Sequence, residues 1–251
     1  MGAKTGLLIY SHGAAADALR RATTVDDRRT ADLLARVYPG WEIQPADSST
    51  LGDGTPSDGV SYLTAFEDAE VICDRQWMEY LPSELPAHLV EASAGRRLVL
   101  HAMHSVVDAL TFAVWEDSRL IRSLRLSPDS GIVENIGTPY AFEAPYWAGQ
   151  HPVELDPDWE DEEPYPLPFH PLELGEDALR ALAGFILEGW PPHPDDVDPY
   201  TVPLNGYRVT DPHAPDPALA RAALERAVKS MGPPRILLFN PDGSITTSNG
   251  A

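Results

Sequence analysis

Basic residues are scarce in this chain of 251 residues, in which only Lys4 and Lys229 are lysines. Lysine and arginine together number 18 against 39 aspartates and glutamates, so the formal net charge is −21. A surface this acidic repels phosphate backbones and anionic lipid, which argues against a function in binding nucleic acids or membranes. It favours solubility, cation binding or a basic protein partner instead.

Cysteine and long apolar runs are lacking as well. Cys73 is the only cysteine, so no disulfide can form within the chain, which is typical of a reducing compartment. It follows Val71 and Ile72, and in such an apolar run a buried, inert thiol is expected. The first apolar run, at 7–10, is too short for a signal peptide, and no segment approaches the roughly 20 apolar residues of a membrane span. The sequence therefore predicts a cytoplasmic protein.

The clearest pattern that is present is a series of short apolar segments joined by tight turns, which predicts an antiparallel meander. The predicted strands are 98–103, 110–115, 120–127 and 132–136. In the third strand, a near period-two alternation places Leu120, Leu124 and Leu126 on one face. Arg122 is the one misfit on that leucine face.

Amphipathic patterns with terminal signals predict helices around this meander. Thr24 is positioned to cap one helix, and Gly189 to end another. The predicted helices cover 14–22, 25–38, 85–94, 175–188 and 217–229.

Proline is abundant, with 25 residues, and it is dense in the segments 139–171 and 191–215. Because proline cannot donate a backbone hydrogen bond, both segments are predicted to be irregular chain. The turn-rich segment 45–59 is predicted to be a polar loop, and 235–247 a terminal hairpin.

Together these elements predict an α+β fold, a mostly antiparallel sheet with packed helices and long Pro-rich irregular segments. The hydrophobic content of 43% is that of an ordinary globular chain. One domain over 1–251 is the first hypothesis. Two subdomains that meet near residue 139 are the alternative.

Several long strings of residues carry a resemblance. They include HAMHSVVDALTFAVWED at 101–117, RSLRLSPDSGIVENIG at 122–137, FEAPYWAGQHPVE at 142–154 and LPFHPLELGEDALRALAGF at 167–185. The chain resembles, over about residues 1–189, a family of uncharacterised actinobacterial proteins known only as a domain of unknown function. That resemblance implies no activity, cofactor or catalytic residue. The Asp-containing turn between two strands, with an Arg-Ser-Leu string, is also similar to small bacterial proteins that neutralise toxins.

His101, His104, Asp108 and Glu143 are the best candidates for metal ligands. Imidazole and carboxylate ligands suit Zn²⁺ or Mn²⁺. Residues three apart on a strand point to opposite faces, so the two histidines could share an ion only across a bulge or bend. The alternative is two histidines that donate hydrogen bonds within a packed sheet.

Tyr146, Trp147 and Trp159 are the candidate partner-binding residues, because an exposed aromatic platform could hold a partner. The alternative is that they anchor the Pro-rich segment to the core. The acidic run at 154–163 lacks the spacing of a calcium-binding loop and is predicted to be a solvated loop.

No complete catalytic motif is present, so the first hypothesis is a non-catalytic acidic binding or interaction protein without a cofactor. Its partner would be a basic protein, since charge complementarity speeds encounter. Toxin neutralisation and regulation are roles of this kind. The alternative is a metal-dependent hydrolase in which Zn or Mn bound by the His/Asp/Glu set activates water.

Overall fold

A computed structural model describes residues 4–53, 55–153, 165–189 and 191–214, positions 221 and 226, and the strands at 235–239 and 245–249. The chain forms two compact units, Met1–Thr210 and Asp211–Ala251. Whether the whole chain behaves as one domain stays a prediction.

A nine-stranded sheet dominates the first unit, and every pairing of neighbouring strands in it is antiparallel. The strands are β1 (Lys4–Ser11), β2 (Glu42–Thr50), β3 (Val60–Ala65), β4 (Ala69–Cys73), β5 (Arg97–His104), β6 (Ala109–Glu116), β7 (Arg119–Ser127), β8 (Gly131–Ile136) and β9 (Pro203–Thr210). Their order across the sheet is β2-β9-β3-β4-β1-β5-β6-β7-β8. Because β9 lies between β2 and β3, residues from both sides of position 139 belong to the same sheet.

Helices lie against both faces of this sheet. They are α1 (Ala15–Arg20), α2 (Asp27–Val37), α3 (Ala87–Glu91), α4 (Ala144–Trp147) and α5 (Pro171–Ala183). Short 3₁₀ turns occur at Arg75–Met78, Pro82–Glu84, Ala141–Glu143 and Pro199–Thr201. The mixed α+β class and the mostly antiparallel sheet predicted from the sequence are therefore confirmed.

Alternation along the central strands divides the core into two layers. In β1, Leu7 and Ile9 belong to the cluster that contains residues of α1 and α5, whereas Leu8 and Tyr10 belong to the cluster with residues of α2 and α3. Because successive side chains point to opposite faces of a strand, a strand buried on both sides is continuously apolar. The run at 7–10 is such a segment.

α5 approaches the sheet closely because of a glycine in its first half. A Cβ atom added to Gly175 would lie 2.4 Å from Met103 Sδ and 3.2 Å from Leu110 Cδ1. The helix backbone at Gly175 is thus in contact with β5 and β6, and this approach positions it against His101.

Two strands of the sheet contradict the prediction. The segment 45–59, predicted to be a polar loop, contributes six residues to β2, and the Pro-rich segment 191–215 contains β9. β2 and β9 pair with each other although more than 150 residues separate Glu42 from Thr210. Neither strand is strongly apolar, and only their pairing with distant segments holds them in the sheet.

Two helix ends also differ from the prediction. α2 is capped by Asp26, whose carboxylate accepts a hydrogen bond from the Arg29 amide at 3.0 Å, and not by Thr24. α5 ends at Gly184, which has a φ of 82°, and not at Gly189. Both glycines have a left-handed φ, and the Gly184 amide donates to the carbonyls of Leu179 and Arg180, which closes the helix at that position.

In the second unit, β10 (Arg235–Phe239) and β11 (Ile245–Asn249) form an antiparallel pair. The predicted terminal hairpin is thereby confirmed. Most of the predicted helix at 217–229 lies outside the described residues. Across the described parts of the chain, no helix has the length and apolarity that crossing a membrane requires.

Candidate functional site

His101 is fully buried between β1 and α5, and both of its ring nitrogens are hydrogen-bonded. Nε2 lies 2.9 Å from the Gly175 carbonyl oxygen, and Nδ1 lies 2.9 Å from the Thr5 hydroxyl, which accepts from the Met103 amide. Burial lowers the pKa of His101 to about 4. Because a carbonyl can only accept, Nε2 carries the proton of a neutral imidazole, and Nδ1 accepts from Thr5. No ring nitrogen remains for a metal ion.

His104 is the last residue of β5, Asp108 lies in the turn that follows, and the two side chains contact different neighbours. The His104 Nδ1 accepts a hydrogen bond from the Val106 amide at 3.3 Å. Asp108 has a φ of 44°, and its carboxylate lies 3.6 Å from Nε2 of His170, at the start of α5. β5 runs without a bulge through both predicted histidine ligands, so their side chains point to opposite faces.

Glu143 forms a fully buried ion pair with Arg122. The guanidinium donates to both carboxylate oxygens, with Nε–Oε1 at 2.9 Å and Nη2–Oε2 at 2.5 Å. Arg122 Nη1 also donates to the backbone carbonyls of Ser123 and Ile136. Glu143 accepts from the Tyr140 amide at 2.7 Å. This pair joins the chain after β8 to the sheet.

Arg122, the misfit of the leucine face, therefore points into the core together with Leu124 and Leu126. A register shift between β6 and β7 places Leu120 on the opposite face, where it packs against the second core cluster. Arg122 therefore interrupts the leucine pattern because it forms a buried ion pair. The bulge between β6 and β7 explains why Leu120 does not share a face with Leu124 and Leu126.

His101 and Glu143 are thus enclosed in separate buried contacts, and His104 and Asp108 lie at the β5–β6 turn with different partners. Within the residues that the structure describes, no group of three or more histidine, cysteine, aspartate or glutamate side chains could hold a metal ion. The hydrolase hypothesis remains a prediction, to which this geometry adds no support.

We expect the double variant His101→Ala/His104→Ala to leave the zinc and manganese content of the purified protein unchanged. Both nitrogens of His101 are occupied, and His104 faces away from it. Inductively coupled plasma mass spectrometry of untagged protein checks this. One equivalent of either metal that is lost in the variant would contradict it and restore the metal site.

The aromatic residues predicted to bind a partner are partly accounted for by packing. Tyr146 is fully buried, donates a hydrogen bond to Asp177 at 2.7 Å and packs edge-on against Phe169. Trp147 is half-buried, also against Phe169, with ring centroids 5.0 Å apart. Tyr146 thus presents no ring to a partner and anchors the segment after β8. Trp159 and the acidic run at 154–163 lie outside the described residues.

A buried polar network that sequence reasoning missed lies on the α2 side of the sheet. The Tyr38 hydroxyl lies 2.5 Å from Asp74 Oδ2 and 2.7 Å from Ser61 Oγ. Burial raises the pKa of Asp74 and also that of Tyr38. The network connects the end of α2 with β3 and β4. Tyr38, Ser61 and Asp74 are isolated polar residues in different segments, and no sequence pattern links them.

Cys73 offers no reactive thiolate. It is buried, and burial raises the pKa of its thiol far above the ordinary value. The thiol form is inert, because the thiolate is the nucleophile. The burial of Cys73 predicted from the sequence is confirmed.

The two outermost strands of the sheet differ in how they are protected. β2 carries Pro45, a bulge between Ala46 and Ser49, and the exposed carboxylates of Glu42 and Asp47. Proline, bulges and charges at an edge hinder the addition of a further strand. This edge is therefore protected from pairing with other chains.

β8, at the opposite edge, contains neither proline nor lysine. Its exposed apolar side chains are Ile132 (46%), Val133 (49%) and Ile136 (40%). A bulge leaves Val133 without a partner on β7. On the α2 face, Glu134 accepts hydrogen bonds from the hydroxyls of Ser83 and Ser123, which fixes the strand to the sheet. β8 is thus a firmly held edge with an apolar surface.

Comparison with known proteins gives a family and no activity. No curated protein and no solved structure matches the chain. A family model described as a family of unknown function, DUF6928, matches residues 5–207, which include nearly the whole nine-stranded sheet. The resemblance to a family of unknown function noted from the sequence is confirmed, and the chain belongs to the DUF6928 family.

Proposed function

We propose that this protein is a non-catalytic interaction protein that binds a basic partner, and that the partner adds an extended strand to β8. The observation that carries the proposal is the contrast between the two edges: β2 carries a proline and exposed carboxylates, whereas β8 carries exposed apolar side chains and neither proline nor lysine. Strand addition to an exposed edge is a common mode of peptide recognition, in which backbone hydrogen bonds give affinity and side chains give specificity.

The charge of the chain supports a basic partner over a second copy of the same protein. Each copy carries a net charge of −21, so two copies repel each other. A segment with lysine or arginine between apolar residues could pack its apolar side chains on β8 while its basic side chains are attracted by the acidic surface. Complementary charge also raises the association rate.

The proposal assigns no cofactor and places the protein in the cytoplasm, where the free thiol of Cys73 stays reduced. Toxin neutralisation and regulation are both compatible with this proposal, because each can result from binding a partner without catalysis. The support is physical: an accessible edge, a strong charge of one sign, and polar core residues that are engaged with one another.

We expect Val133→Lys to weaken the binding of a basic strand-length peptide roughly tenfold or more. The added lysine removes apolar surface from the edge and repels the peptide. The probe is a peptide that alternates lysine and valine, with a glutamate–valine peptide as its charge control, and fluorescence anisotropy measures the affinity.

Val107→Lys is the matched control. Val107 is exposed to nearly the same extent as Val133, 47% against 49%, but lies in the β5–β6 turn. Both variants change the net charge equally, so unspecific attraction to the acidic surface falls equally in both. Equal affinities of the two variants, or no new protection of the amides at 131–136 in hydrogen exchange with the peptide, would overturn the proposal.

A further inference from the structure

A cavity of about 630 Å³ lies at one end of the sheet, apart from β8. It is lined where β1 begins, where β4 passes into the following 3₁₀ turn, and where β5 turns into β6. Its polar lining residues are Lys4, Arg75, Thr55, Ser57, Ser105 and Glu188. The volume falls within the range of small-molecule sites, and a few polar groups on an otherwise apolar wall are typical of them.

The cations of the cavity are unusual for so acidic a chain. Lys4 is one of only two lysines, and among the described residues its ammonium makes no ion pair. Arg75 pairs with Asp58 at 3.0 Å, but the Asp58 side chain is 91% exposed, so solvent screens that pair. Two cations face one lining carboxylate, Glu188, in a protein whose net charge is −21.

An aromatic ring and aliphatic side chains form the apolar wall. The ring of Tyr200 lies flat enough against Gly52 that an added Cβ atom would come within 2.8 Å of it. The Gly52 amide donates to the Pro199 carbonyl at 3.0 Å, which holds the two loops together. Tyr200 remains 59% exposed, and Val106, also in the wall, is 74% exposed.

We infer that this cavity binds a small organic anion, with a carboxylate or phosphate group on Lys4 and Arg75 and an apolar body against Tyr200 and Val106. Charged hydrogen bonds from ammonium and guanidinium groups are the strong interactions that such an anion can make. The hydroxyls of Ser57 and Ser105 supply further donors around it, whereas the Thr55 hydroxyl donates to the Lys4 carbonyl at 2.7 Å. The inference does not depend on strand addition at β8.

The probe for this site is anilinonaphthalene sulfonate, a fluorescent organic anion, compared with N-phenylnaphthylamine, which has the same rings without the sulfonate. We expect Lys4→Gln to weaken sulfonate binding roughly tenfold, and Lys4→Arg to restore most of it. The neutral probe should bind both variants alike. Arg119→Gln removes one exposed positive charge elsewhere and should change neither probe.

Gly52→Ala tests the apolar wall. The new methyl group would displace the Tyr200 ring, so both probes should bind more weakly while the far-ultraviolet circular dichroism stays unchanged. Displacement of the sulfonate by phenyl phosphate or by benzoate then distinguishes a phosphate ligand from a carboxylate.

Sulfonate binding that is equal in the parent and in Lys4→Gln would overturn the inference. So would a signal that disappears in Val133→Lys and survives in Lys4→Gln, since the probe would then lie on the β8 edge. A tenfold loss for the sulfonate alone, with rescue by arginine, supports an anion site at Lys4.

Discussion

Replacement of Glu143 by glutamine is expected to lower the free energy of unfolding by about 3–5 kcal/mol, because it leaves the guanidinium of Arg122 buried without a counter-charge. Both side chains of the pair are fully buried. Glutamine keeps the size of the side chain, so the loss reports on charge and not on a cavity. Urea unfolding followed by circular dichroism measures it.

The double variant Arg122→Met/Glu143→Leu separates the pair from its parts. It removes both charges and leaves no unpaired one. It should therefore be more stable than Glu143→Gln, although it changes two buried residues instead of one. Glu116→Gln is the control, because Glu116 pairs with Arg97 at 2.6 Å on the surface and should cost less than about 1 kcal/mol. A loss of similar size for Glu116→Gln and Glu143→Gln would show that burial of the pair has no energetic consequence.

Acidification from pH 7 to pH 4 is expected to remove about 3 kcal/mol of stability through His101 alone. The pKa of this histidine falls from the ordinary 6.5 to about 4 in the folded chain. Between those values the unfolded chain binds a proton that the folded chain does not. The contribution is therefore complete above pH 6.5 and is lost as the pH falls toward 4.

His101→Gln isolates this effect, since glutamine offers a donor and an acceptor but does not titrate. We expect the variant to be less stable than the parent at pH 7, and its stability to fall less steeply as the pH is lowered. Burial raises the pKa values of Asp74 and Glu176, and these groups act in the opposite direction, so stability is lost as the pH rises through them. Subtracting the two profiles removes their effect.

His12→Gln provides the comparison with an exposed histidine. Parallel profiles for His101→Gln and the parent would mean that His101 is not held neutral, and the tautomer assigned from Thr5 and Gly175 would then be wrong.

The parts of the fold that were predictable are those in which neighbouring segments decide the structure. The meander from β5 to β8 was predicted correctly because each strand pairs with the next one along the chain. The apolar pattern and the turn residues that specify this pairing are therefore close together in the sequence. Arg122 was recognised as an interruption of that pattern, but its partner, Glu143, was assigned to a metal site. An arginine on an apolar face shows that a buried partner exists and does not show which carboxylate supplies it.

The strands β2 and β9 were missed for the opposite reason. β2 is polar, and β9 lies within a Pro-rich segment. Both are held in the sheet by strands that are distant in the sequence, β2 by β9, and β9 by β2 and β3. The cavity at Lys4 and the network of Tyr38 with Asp74 likewise join residues from segments that are far apart in the sequence. Contacts of this kind cannot be predicted from the periodicity of a short segment.

By itself, the sequence determined the acidity, the buried cysteine, the mixed α+β class and the central meander, because composition and short-range periodicity suffice for each. The tertiary structure alone decided that His101 is enclosed between Thr5 and Gly175, that Glu143 neutralises Arg122, and that β2 and β8 are the outermost strands of the sheet. These outcomes depend on which distant segments lie side by side. Pairing of that kind is selected by the free energy of the whole packed sheet and not by any one of its strands.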